Sequence, residues 1–128
     1  MKRLFFSLLL LLFLILPLAA AAEEGKGVDL GAQAAAQGHP LVADFGMNRC
    51  SSCIRQSEII EKLKDETSGK VEWKFIHIGE DEATAGRYKI LLIPTLIFFD
   101  GQGKELYRYV GLMDEAALKA KLAELKLL

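Results

Sequence analysis

Apolar and polar positions divide this chain into a leader and a domain. Leu4 to Leu16 is one apolar run broken only by Ser7. Beyond residue 40 the apolar positions come in short blocks instead. Leu41-Val42-Ala43-Asp44-Phe45 is mostly apolar on both faces, the pattern of a central strand. Ile59, Ile60 and Leu63 form the buried stripe of a helix that begins near Cys53, continues from Ser57 to Lys64 and ends at Thr67-Ser68-Gly69. Val71 to Ile78 reads as a second strand, and Glu82 to Tyr88 as a short helix interrupted by Gly86. Thr95 to Phe99 and Leu106 to Val110 are two further strands, joined by Asp100-Gly101-Gln102-Gly103, a strong hairpin signal. Asp114 stands where it can cap a last helix with Leu118, Leu122 and Leu125 at core spacing. Ahead of the first strand, Ala32 to Gln37 makes a short helix stopped by Gly38 and Pro40. Strands separated by helices imply parallel pairing, and the hairpin adds an antiparallel edge.

The leader has the parts of a signal peptide. Lys2 and Arg3 precede the apolar run, and Pro17 leads to Ala19-Ala20-Ala21-Ala22, in which Ala20-x-Ala22 fits a peptidase site before Glu23. The alternative is an uncleaved anchor, since Leu4 to Ala22 as a helix would reach about 28 Å, barely enough to span. The proline and the small-residue tail suit a peptidase better. Either way residues 1–22 imply export, to the periplasm in a bacterium or anchored to the inner membrane facing it. Residues 23–31 are charged and glycine-rich at their start and read as a flexible linker. Residues 32–128 remain as one domain with a modest core.

Charge and composition remove other classes. The whole chain carries 16 Lys+Arg against 17 Asp+Glu, and losing Lys2 and Arg3 leaves a small acidic excess. Nucleic acid as a partner would call for a clustered basic face. The 52% hydrophobic content is inflated by the leader. Two cysteines are too few for a disulfide scaffold, so the core must come from apolar packing.

Those two cysteines carry the chemistry. Cys50 and Cys53 lie in Arg49-Cys50-Ser51-Ser52-Cys53, after the first strand and at the start of a helix. A thiolate there faces unpaired backbone N–H groups and the positive end of the helix dipole, which lower its pKa. Arg49 adds a neighbouring positive charge. Cys50 is expected to attack, and Cys53, one turn into the helix, to resolve the mixed disulfide and release the reduced partner. A purely structural disulfide over so short a loop would stabilise little, roughly 2 kcal/mol or less. Zinc needs four ligands, and His39 and His77 lack finger spacing. Haem attachment needs a histidine where Ile54 stands. Asp44, inside the apolar strand, would have its pKa raised by desolvation and could accept the Cys53 proton, directly or through a water. The other reading of Asp44 is a strand-end carboxylate that bonds loop N–H groups. Ser51 and Ser52 either hydrogen-bond the Cys50 thiolate or are small helix-start residues.

Taken in order, Asp44 in a strand, Cys50-x-x-Cys53 at the next helix, Ile93-Pro94-Thr95 before the hairpin strand and Gly111 after the last strand resemble the thioredoxin-fold family. The match runs from about Ala32 to Leu125. The tail segments Phe98-Phe99-Asp100-Gly101-Gln102-Gly103 and Gly111-Leu112-Met113-Asp114 are similar to the C-terminal periplasmic domain of DsbD-type thiol:disulfide interchange proteins. The resemblance implies an α/β thioredoxin fold, a central mixed sheet of about four strands flanked by helices. It implies a cis Ile93–Pro94 bond packed against the cysteine loop, with backbone groups of Ile93, Pro94 and Thr95 pairing an extended substrate in β-fashion. Two departures bear on redox potential and partner choice: Arg49 and Ser51-Ser52 replace the usual Trp and Gly-Pro, and Phe75 occupies the place of a buried lysine near the aspartate.

The expected function is therefore an exported thiol–disulfide oxidoreductase that reduces disulfides of periplasmic clients. It needs no cofactor beyond the Cys50–Cys53 couple. Its partners are client thiols and disulfides and an upstream redox donor, such as a membrane electron-transfer protein. A disulfide oxidant or isomerase is the alternative within this class. A copper-binding module is the alternative outside it, because Gly46-Met47-Asn48-Arg49-Cys50-Ser51-Ser52-Cys53 faintly resembles a copper-chaperone loop and soft thiolates suit Cu(I). Ile93-Pro94-Thr95, which such a module does not need, favours redox chemistry.

Overall fold

The structure, a computed structural model, describes residues 25–128. The expected signal segment 1–22 and the first residues of the linker lie outside them. Four residues of the expected linker, Val28 to Gly31, are tied down in their surroundings. Asp29 caps helix α1 (Leu30–Gln37) by accepting the Ala32 N–H at 2.9 Å, so the helix starts two residues earlier than Ala32. Leu30 and Gly31 are thus helical rather than linker, and Leu30 is fully buried. The Val28 N–H donates to Thr84 Oγ1 at 2.8 Å, and Asp29 pairs with Arg87. The capping aspartate makes the boundary: it satisfies a helix-terminal N–H that would otherwise be unpaired.

After α1, Gly38 in the left-handed region (φ 71°) closes the helix and turns the chain into β1 (Leu41–Gly46). Then follow α2 (Ser51–Glu66), β2 (Glu72–His77), α3 (Glu82–Arg87), β3 (Thr95–Phe99), β4 (Glu105–Val110) and α4 (Glu115–Glu124). The sheet order is β2-β1-β3-β4. β1 and β2 are parallel, whereas β1–β3 and β3–β4 are antiparallel. Antiparallel pairing is thus not confined to the hairpin edge. The segment Tyr88–Pro94 after α3 brings β3 back in the opposite sense, so a helix between two strands does not by itself make them parallel.

Every residue of β1 is buried, as its apolar run requires. Leu41, Ala43 and Phe45 point to one face and join Leu30, Ala34, Ile76, Ile97 and Phe99. Val42 points to the other, where Ile59, Ile60 and Leu63 of α2 meet Leu118 and Leu122 of α4. By the two-residue period of a strand, Asp44 faces the same side as Val42, beneath α2. This is what places a carboxyl behind the cysteines.

Candidate active site

Cys50 is the residue that caps α2. Its Sγ accepts the Cys53 backbone N–H at 3.2 Å, and Ser52 Oγ lies 3.5 Å away. Cys50 and Cys53 are joined as a disulfide with Cα atoms 5.2 Å apart. Cys50 is half-buried and Cys53 is buried at 1% exposure, so an incoming group meets Cys50 first. Arg49 and Ser51 are exposed beside it.

Behind Cys53 lies Asp44, 3% exposed. Burial pushes its carboxyl up to about 7, against the opposing effect of a hydrogen bond from Ser57. Ser57 Oγ donates to Asp44 Oδ2 at 3.3 Å, and Oδ1 has no hydrogen-bond partner. A cavity of about 30 Å³ sits against Asp44, lined also by Ser57, Trp73 and Phe75. That volume holds a water. Phe75 pairs in register with Asp44 across β1 and β2, so no cation stands at that point. Its ring is half-exposed and flanks Gly46 together with Cys53: a Cβ on Gly46 would lie 3.1 Å from both Phe75 Cε2 and Cys53 Cβ. The neighbouring Lys74 is turned to Gln33, donating to Oε1 at 2.6 Å.

The Ile93–Pro94 peptide bond is cis. Phe45 pairs with Thr95, so Pro94 stands abreast of Gly46 at the end of β1 from which the chain runs to Cys50. The Pro94 carbonyl accepts the Gly111 N–H at 2.8 Å, and Thr95 Oγ1 donates to the Leu92 carbonyl at 2.7 Å. Leu91 and Leu92, just before the turn, are 91% and 66% exposed. Sequence reasoning left out Ser57, Leu91 and Leu92. The signal for Ser57 was its position one helical turn after Cys53, on the same helix face.

The model of the thioredoxin-like domain matches residues 31–126. The chain belongs to the thioredoxin-like family. It is 30% identical over 97 residues to the thioredoxin of Alicyclobacillus acidocaldarius, covering 75% of this chain and 91% of that one. To the thioredoxin of Chlamydia caviae it is 36% identical over 78 residues, 61% of this chain and 74% of that one. Its fold is similar to the X-ray structure of Fasciola hepatica thioredoxin, with a TM-score of 0.64 at 26% identity over 74% of this chain and 86% of that one. This thioredoxin-like protein is a thiol–disulfide oxidoreductase, and members of the family act on protein disulfides. The dithiol carries two electrons by becoming a disulfide, so the exchange needs no cofactor. Among the described residues no group of three or more His, Cys, Asp or Glu side chains is placed to hold a metal ion.

Proposed function

We propose that this thioredoxin-like protein is an exported disulfide reductase, recharged by an upstream donor such as a membrane electron-transfer protein. Reduced Cys50 attacks a client disulfide and forms a mixed disulfide. Cys53 then gives its proton to Asp44 and attacks the Cys50 sulfur. The Cys50–Cys53 bond forms, the bond to the client breaks, and the client leaves as a thiolate. Pro94 and its neighbours Ile93 and Thr95 offer an edge for an extended client segment beside Cys50. Arg49, with the Ser51 and Ser52 start of α2, supports the Cys50 thiolate in the reduced state.

The observation that carries this reading is the helix-capping Cys50 sulfur, held by the Cys53 N–H, with buried Asp44 behind the pair. Export rests on the Lys2-Arg3 start, apolar run and Ala20-x-Ala22 of the leader. The reductant direction rests on the likeness of the tail to DsbD-type C-terminal domains.

Equilibrating the mature protein against thiol buffers measures the direction. A potential near or below about −230 mV is expected, whereas one of about −120 to −180 mV would assign it as an oxidant or isomerase. Replacing Cys53→Ser is expected to trap mixed disulfides through Cys50 with exported clients, seen as adducts that thiols dissolve. Adducts formed by a Cys50→Ser protein and not by Cys53→Ser would reverse the roles of the two cysteines.

A further inference from the structure

Ser57 is the only hydrogen-bond donor to the Asp44 carboxyl among the described residues. It lines both the cavity against Asp44 and the open groove, about 270 Å³, that reaches Cys53. A helical side chain covers the turn N-terminal to its own Cα, so Ser57 leans back towards Cys53, one turn earlier on α2. Ser57 is thus shared by the cavity at Asp44 and the groove at Cys53, the two groups that must exchange a proton.

The other groups facing Asp44 do not compete for this task. From α2, Glu61 and Lys64 line the cavity and pair with each other. From β2, Lys74 is held by Gln33, while Trp73 and Phe75 present rings. From β3, the residue in register with Asp44 is Leu96, which is fully buried and apolar. No cation therefore fixes the carboxyl.

We propose that Ser57 is a positioning residue for the resolving step, holding Asp44 by Oδ2 so that Oδ1 is left to take the Cys53 proton. This inference rests on the reductase reading above and deepens it. In the step, the Cys53 S–H proton passes to Asp44 Oδ1, directly or through a water in the cavity. The Cys53 sulfur then bonds to the Cys50 sulfur, and the client thiolate departs with the electron pair of the broken disulfide. The protein dithiol is oxidised by two electrons and the client disulfide is reduced by two. The hydroxyl favours the charged carboxylate, and this opposes part of the effect of burial.

The test is single-turnover reduction of a fluorogenic peptide disulfide by the reduced protein, followed from about pH 5 to pH 9. Asp44 is titrated in parallel through its ¹³C carboxyl resonance. The first step is read separately in Cys53→Ser, where only Cys50 reacts. Ser57→Ala removes the hydroxyl and keeps a strong helix former; Ser57→Gly is the second hydroxyl-free variant should the first not fold. Both are expected to move the Asp44 midpoint and the pH profile of the resolving step upward. Near pH 6 that step should slow about tenfold, the effect of losing one hydrogen bond to a charged group. Ser57→Thr, which restores a hydroxyl, should bring back both the profile and the midpoint. An unchanged profile in folded Ser57→Ala or Ser57→Gly overturns the proposal, as does a Ser57→Thr protein that behaves like Ser57→Ala. Wild-type protein that fails to reduce the peptide at all overturns the reductase reading itself, and this inference with it.

Discussion

Asp44 is a carboxyl in a position where the fold would be better served by a neutral group. Its pKa is raised from 3.8 to about 7 by burial, so the folded chain keeps a proton there that the unfolded chain releases from about pH 4 upward. Stability attributable to this group therefore falls as pH rises from about 4 to about 7 and is level above that. Asn has the shape of the protonated acid and cannot ionise. Oxidised Asp44→Asn protein is thus expected to be more stable than wild type at pH 8, by at most about 4 kcal/mol, and to match it near pH 4. Urea unfolding at the two pH values checks this; a variant less stable at pH 8 would mean that the carboxylate is welcome in the fold. The raised pKa of Asp44 was legible in the sequence, because an acid inside Leu41-Val42-Ala43-Asp44-Phe45 has few ways to stay hydrated. Its hydrogen bond to Ser57 was not, because it joins residues on two different elements.

At the scale of elements, most boundaries follow from capping chemistry that is local in sequence. Asp114 caps α4 by accepting the Ala117 N–H at 2.8 Å, and the Asp100–Gly103 turn closes with a 3.0 Å bond from Gly103 N–H to the Asp100 carbonyl. The start of α1 escaped because glycines at 25 and 27 suggested a loose linker, whereas residues 28–31 are held by α3 and by the hairpin turn. Gly31 shows how closely. A Cβ there would lie 2.5 Å from the Gly103 carbonyl oxygen, backbone that cannot swing away. Gly31→Ala should destabilise the protein by about 1–3 kcal/mol in urea unfolding, the usual cost of overpacking. That outcome opposes the gain of about 1 kcal/mol that helix propensity alone would give, so the sign of the change decides between local and tertiary control of this helix.

At the scale of the whole molecule, a single buried side chain couples the helix that bears the cysteines to the segment after β4. Gln56, fully buried, donates through Nε2 to the Met113 carbonyl at 3.2 Å and accepts the Met113 N–H at 2.8 Å. Gln56→Ala would leave both backbone groups buried without partners and is expected to cost about 3 kcal/mol in thermal or urea unfolding. A loss well under 1 kcal/mol would mean that water replaces the amide there. The sequence by itself determined what is set by neighbours along the chain: the strand and helix blocks, the Asp114 cap, the hairpin, and a cysteine pair at a helix start, which places a sulfur against free N–H groups. Only the tertiary structure decided that β3 runs antiparallel to β1, that Ser57 bridges towards Asp44, that Phe75 flanks Cys53, and that Gln56 reaches Met113. The physical reason is that periodicity fixes which face of an element is buried but not which element covers it. That choice is made by packing and hydrogen bonding between residues far apart in the chain.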